Sequence, residues 1–160
     1  MAKKYRDYQI AEYLQVLSAR EPVPGGGSVA ALTAALAAGL LAMVTRYSLG
    51  RGAAKPVEQK LARLLTDTDK IRDRFLDLAE EDSAAYLAVV ASRKGTPAEK
   101  KAAQKQCDAV LREMKRLCPK AVGLAPYLVT HGSPYLLSDI EVAVELLNAA
   151  FNSVLALSHS

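Results

Sequence analysis

Between Ser28 and about Ser48 the chain offers almost nothing but small apolar side chains, and that run limits what the whole can fold into. Residues 29–44 read VAALTAALAAGLLAMV, and eight of these sixteen are Ala or Gly. Ala is the strongest helix former, and no proline interrupts the run. A helix apolar on every face must be enclosed by protein or by lipid. The run approaches the length of a bilayer core, but Arg46 follows at once and no second hydrophobic segment is expected beside it. Small side chains all round let neighbouring helices come close. The segment is therefore expected to be the buried central helix of an all-α, compact bundle of about five helices, with no membrane contact.

Four further helices are expected around it. The first spans about 7–20, capped by Asp7, with Ile10, Tyr13, Leu14 and Leu17 repeating at helical spacing, and it stops before Glu21-Pro22. The third runs over about 57–93, with Pro56 near its start and Gly95 ending it. Thr96-Pro97-Ala98-Glu99 reads as a capping box opening the fourth, which carries Cys107, Val110, Leu111, Met114, Leu117 and Cys118 inward. A kink or short break is expected at Pro119, with helix resuming towards Val129. After a turn at His131-Gly132-Ser133-Pro134, the fifth is expected from Ser138 to about Leu157. Ser138 and Glu141 would form its capping box, and Leu137 and Val142 its hydrophobic staple. No strand or repeat is evident. The simplest organisation is one domain over residues 1–160, since a chain of this size buries roughly 68–70% of its unfolded surface.

Charge and cysteine usage narrow the class. Lys and Arg (21) are interspersed with Asp and Glu (17) for a net charge of +4, so no basic stripe suggests nucleic acid. Cys107 and Cys118 sit about 16 Å apart along one helix, too far for a bridge. They read as core thiols of a reducing, cytoplasmic compartment, and the N-terminus lacks the apolar stretch of a signal peptide. His131 and His159 are isolated, so no zinc or other metal site is expected.

Two features carry chemistry. Pro22-Val23-Pro24-Gly25-Gly26-Gly27-Ser28 lets the backbone turn sharply and approach a ligand with no Cβ in the way, and a helix N-terminus follows at once. Pro24, Gly25, Gly26, Gly27 and Ser28 are the candidate substrate-binding residues, with Ser28 also placed to act as N-cap. A dinucleotide fingerprint fails on context, because helix and not strand precedes it. A phosphate P-loop fails because no Gly-Lys-Ser/Thr follows. The second feature is Asp82. At 100° per residue, Ile71, Phe75, Leu78, Ala85 and Val89 point within about 40° of one direction, and Asp82 falls among them. A carboxylate on an apolar face must be partnered or put to use, and burial there would raise its pKa. Asp139 is the other candidate catalytic residue, although a helix N-terminus alone accounts for an acid at that place.

On these residues the chain resembles the cyclodeaminase/cyclohydrolase domain of the formiminotransferase-cyclodeaminase family. The likeness begins at Tyr13-Leu14 and is most specific at Pro22-Val23-Pro24-Gly25-Gly26-Gly27-Ser28-Val29-Ala30-Ala31-Leu32. It continues through Glu81-Asp82-Ser83-Ala84-Ala85-Tyr86 and Pro119 to Ser138-Asp139. The resemblance implies an all-helical homodimer that processes folate one-carbon units. It would either hydrolyse 5,10-methenyltetrahydrofolate to the 10-formyl form or cyclodeaminate 5-formiminotetrahydrofolate. It would need no cofactor beyond the folate substrate. Departures fall late in the chain: Ser133-Pro134-Tyr135-Leu136-Leu137 and Glu141 stand where the family has Asn before Ser-Asp and Gly after it. The rival expectation is a folate-binding or dimerisation module that keeps the fold without the chemistry.

Overall fold

The structure, a computed structural model, describes residues 3–158, so His159 lies outside the described residues. Six α-helices follow one another: α1 (Ile10–Leu17), α2 (Gly26–Ser48), α3 (Lys55–Ser92), α4 (Pro97–Val122), α5 (Ala125–His131) and α6 (Leu137–Leu157). Short 3₁₀ turns at Tyr5–Asp7 and Pro134–Leu136 precede α1 and α6, and no strand occurs among the described residues. The all-α expectation holds.

Helix α2 is the axis, packed between α3 and α6. Ala31, Ala34, Ala37 and Ala38 are fully enclosed, and their methyl groups let the backbones of both neighbours draw near. The larger volume comes from the surrounding helices: Leu61, Phe75 and Leu78 of α3, Met114 of α4, Leu128 of α5, and Ile140 and Leu147 of α6 join one core with Leu41 and Val44. Burial of α2 is uneven. Leu36 is 60% exposed and Tyr47 66%, so one stripe of the helix faces outward.

Helix ends set by neighbouring residues fall where the sequence puts them. Thr96 accepts from the Glu99 backbone N–H while the Glu99 carboxylate accepts from the Thr96 N–H, which opens α4. Pro56 sits in the first turn of α3. Arg74 then ties α3 to α4, donating to Glu113 at 2.7 and 2.8 Å and to Glu81 at 2.5 and 3.0 Å.

Five local expectations are corrected. Asp7 does not cap α1: Gln9 does, in a capping box with Glu12, because the 3₁₀ turn has already used residues 5–7. The stripe on α1 does not point inward. Tyr13 is buried, but Ile10 is 83% exposed and Leu14 55%. No break falls at Pro119: helix α4 continues through it to Val122, with Gly123 as its C-cap and α5 starting at Ala125. Ser138 does not cap α6, and Leu137 and Val142 both stay exposed instead of forming a staple. There the turn Pro134–Leu136 feeds straight into the helix, and its entry is held by the Ser133 N–H donating 2.9 Å to the buried Ser48 Oγ on α2. Lastly, α2 is not the one segment long and apolar enough to span a bilayer, since residues 134–157 pass the same test. Sixty-one per cent of the most apolar stretch of α2 is buried, against 28% for that segment, so α2 is the core helix by packing.

Two substitutions separate core from cap. Phe75→Ala is expected to cost about 3–5 kcal/mol of unfolding free energy, and Thr96→Ala about 1 kcal/mol, both read from urea denaturation. Equal losses would contradict the division between a tertiary core and local capping.

Candidate active site

The glycine run enters α2 without a side-chain cap. The N-cap is Gly25, the helix opens at Gly26, and no side-chain oxygen of the cap residue accepts from its first turn. Ser28 is therefore not the N-cap expected from sequence but the third residue of the helix. Its hydroxyl is fully buried and shares a 3.0 Å hydrogen bond with the Tyr13 phenol. Its backbone N–H faces the Asp82 carboxylate, which reaches across from α3. A carboxylate on another helix thus occupies the place that an N-cap side chain would ordinarily fill.

That approach depends on Gly27. A Cβ there would lie 2.0 Å from Asp82 Oδ1 and 2.3 Å from its Cγ. Only a residue with no side chain admits the carboxylate. Desolvation by burial pushes the Asp82 carboxyl above its ordinary pKa, and the Ser28 N–H opposes the rise. Among the described residues no Lys or Arg pairs with Asp82. The charge is held by backbone alone.

Asp82 stands in the wall of a cavity of about 460 Å³, within the size range of small-molecule sites. Pro22, Val23, Gly25, Gly26 and Gly27 form one side. Asp82, Tyr86 and Val89, at i, i+4 and i+7 of α3, form the second; Gln104, Cys107 and Leu111, at i, i+3 and i+7 of α4, form the third. Leu157 closes the cavity from the end of α6. Burial, then the charges of Asp82 and Asp108, push the Cys107 thiol upward, so it stays protonated near neutrality. Burial likewise pushes Cys118 up to about 11.

The structure brings Gly25, Gly26, Gly27 and Asp82 together. Pro24, which follows a cis peptide bond, is buried behind the turn and does not reach the cavity wall, and neither does Ser28. Asp139 stays apart. It is half-buried in the first turn of α6, eighteen residues before Leu157, which places it about 27 Å along the helix from the cavity. Within one chain, then, the two candidate carboxylates do not meet. His131 ends α5 with its ring 4.4 Å from that of Tyr127 and takes no part.

Sequence reasoning missed the α4 wall. Cys107 and Leu111 read as inward-facing, which is true, but periodicity gives only a direction on their own helix. That they meet Asp82 and the glycine turn follows from how α3 and α4 cross.

Known proteins share the sequence pattern and the fold of this chain. Residues 9–158 match the sequence model of the family described as formiminotransferase-cyclodeaminase. Methenyltetrahydrofolate cyclohydrolase of Methylorubrum extorquens is 28% identical over 145 residues, covering 84% of this chain and 70% of that protein. Formimidoyltransferase-cyclodeaminase of Rattus norvegicus is 27% identical over 151 residues, covering 88% of this chain but only 28% of the rat protein. The crystal structure of formiminotetrahydrofolate cyclodeaminase from Thermotoga maritima superposes with a TM-score of 0.91 at 25% identity, over 96% of this chain and 77% of that one.

The contact between Gly27 and Asp82 is directly testable. Gly27→Ala is expected to cost about 1–3 kcal/mol by overpacking, and most of that cost should vanish when Asp82 is also shortened to Ala. Additive losses in urea denaturation would mean that the new methyl group does not meet the carboxylate.

Proposed function

The chain belongs to the formiminotransferase-cyclodeaminase family, and from that premise we propose that it works in folate one-carbon metabolism, opening 5,10-methenyltetrahydrofolate to 10-formyltetrahydrofolate. The observation that carries the reading is Asp82, a carboxylate without a cationic partner held against a glycine turn in a ligand-sized cavity.

The chemistry asks for what such a site offers. In the methenyl compound one carbon bridges two nitrogens and carries cationic character. Water adds to that carbon, and Asp82 takes the proton released by the attacking oxygen. The neutral adduct then collapses: the carbon–N5 bond breaks, Asp82 returns its proton to N5, and the hydroxyl proton leaves to solvent as the formyl carbonyl forms. The raised pKa suits both halves, since the group must accept and then release a proton near neutrality. Backbone N–H groups of the turn, bare of side chains, can orient the pterin without competing charge. Water and proton transfer suffice, so no metal or organic cofactor is assigned. Asp139 is given no role in this cavity.

A second reading, cyclodeamination of 5-formiminotetrahydrofolate, is supported by the likeness to the Thermotoga maritima structure. It would use the same carboxylate to move a proton to departing ammonia. We also assign the protein to the cytoplasm, where both free thiols would remain reduced.

A homodimer is the assembly best supported by the surface. Ile10 and Leu14 of α1 and Leu36 of α2 stand exposed on the side that also presents Leu32, Leu40 and Met43. An apolar surface of this extent is ordinarily covered. Leu36→Glu is expected to shift the protein to monomer in sedimentation velocity. If the wild type is itself monomeric, the assignment fails.

For the activity, purified protein should accelerate loss of the near-ultraviolet absorbance of methenyltetrahydrofolate. Asp82→Asn should lower turnover by roughly 10²- to 10⁴-fold. The wild-type rate should fall on the acid side, with a midpoint above the ordinary aspartate value of about 3.9, because only the ionised carboxylate can accept the proton. No acceleration with either folate substrate would overturn the enzymatic reading, and full turnover by Asp82→Asn would remove that residue from it.

A further inference from the structure

Three glycines admit the Asp82 carboxylate, and they also make the turn that receives it pliable. Glycine gives up more conformational freedom on folding than any other residue. The first turn of α2 has no side-chain cap. It closes on the glycine run through the Val29 N–H, which donates to the Gly25 carbonyl at 3.0 Å. The Ser28 N–H that faces Asp82 belongs to this turn, so its position depends on what braces the run from outside.

The N-terminal segment supplies a brace from two sides. The Tyr5 N–H donates to the Glu80 carboxylate and Arg6 pairs with Asp77, which ties residues 5–7 to the part of α3 that leads to Asp82. The Tyr5 ring then meets the Tyr13 ring edge-on, with centroids 5.5 Å apart. Tyr13 is buried, and its phenol shares the 3.0 Å hydrogen bond with the fully buried Ser28 hydroxyl. Among the described residues that hydroxyl has no other hydrogen-bond partner. Burial raises the pKa of Tyr13, as it does for Tyr5 and for Cys107 across the cavity, so all three are neutral where Asp82 is ionised. The Tyr13 phenol does not line the cavity. It acts as a hydrogen-bonding strut, not as an acid or a base.

We propose that Tyr13 is a positioning residue for Asp82, acting through Ser28. The phenol fixes the Ser28 hydroxyl, the N–H of the same residue faces the carboxylate, and together they set where Asp82 stands relative to the one-carbon bridge. This role rests on the folate reading above, because the reaction is what makes that position matter. A phenylalanine at residue 13 would fill the same space and keep the edge-on contact with Tyr5. It would lose only the hydrogen bond between α1 and the first turn of α2.

The test separates position from stability. Tyr13→Phe leaves a buried Ser28 hydroxyl unpaired, whereas Tyr13→Phe combined with Ser28→Ala removes both partners, which is close to neutral for stability. Thermal unfolding is therefore expected to show a lowered midpoint in the single variant that largely recovers in the double. Turnover of methenyltetrahydrofolate should not recover. Both variants are expected to lose roughly tenfold in kcat with KM within about twofold of wild type, the scale of a small misplacement of a reacting group. The acid-side midpoint of the rate should move up in pH, because the Ser28 N–H lowers the Asp82 pKa and a looser donor lowers it less. If kcat returns to wild type with stability in the double variant, Tyr13 is merely structural, and the positioning role is overturned while the folate reading stands. Wild-type kcat and an unmoved acid limb in both variants overturn it likewise. A wild type that turns over neither folate substrate defeats the folate reading and the positioning role together.

Discussion

The Asp82 carboxylate occupies the space where a Cβ on Gly27 would be, and much of this fold is arranged so that it can. The first turn of α2 has free N–H groups and no side chain to satisfy them, while α3 brings a carboxylate with no cation to pair with. Each supplies what the other lacks. The meeting requires the two helix backbones to lie close, and the alanines along α2 permit that distance. A bulkier α2 would hold α3 away and leave both groups to water. Burial then does the electrostatic work: it lifts the Asp82 pKa, and the same desolvation keeps Cys107 a neutral thiol on the opposite wall.

The bundle has two different surfaces as a result. On one, the glycine turn, α3, α4 and the end of α6 enclose a cavity whose one carboxylate is Asp82. On the other, α1 and the outer stripe of α2 expose leucine and isoleucine that no part of the described chain covers. Tyr13 connects the two, with its ring packed from α1 and its hydroxyl hydrogen-bonded to Ser28 at the start of α2. The N-terminal segment thus braces the glycine turn from behind while presenting an apolar face outward.

Much of the architecture was legible in the sequence, because helix formation and its stop signals are local. The Thr96–Glu99 box, Pro56 at the start of α3 and the glycine run before α2 each act within one turn of chain. Asp82 was also legible, because a charge in the middle of an apolar stripe is visible from periodicity alone. Caps that depend on distant partners were not. Ser28 had the right chemistry for an N-cap, yet a carboxylate from α3 made that role unnecessary and released its hydroxyl to Tyr13. Ser138 had the right chemistry too, but the bond from Ser133 to Ser48, eighty-five residues away in sequence, fixed the chain so that α6 began earlier.

By itself the sequence determined that this chain is helical, that one helix of small side chains lies at its centre, and that Asp82 and the glycine turn are its unusual features. Tertiary structure alone decided that those two features touch, that Cys107 and Leu111 wall the same cavity, and that Asp139 stands at the far end of α6. It also decided that the apolar stripe of α1 faces outward. The reason is geometric. A helical period tells which residues share a face but not what that face meets, and this is set only when the helices cross and the small side chains of α2 let them close.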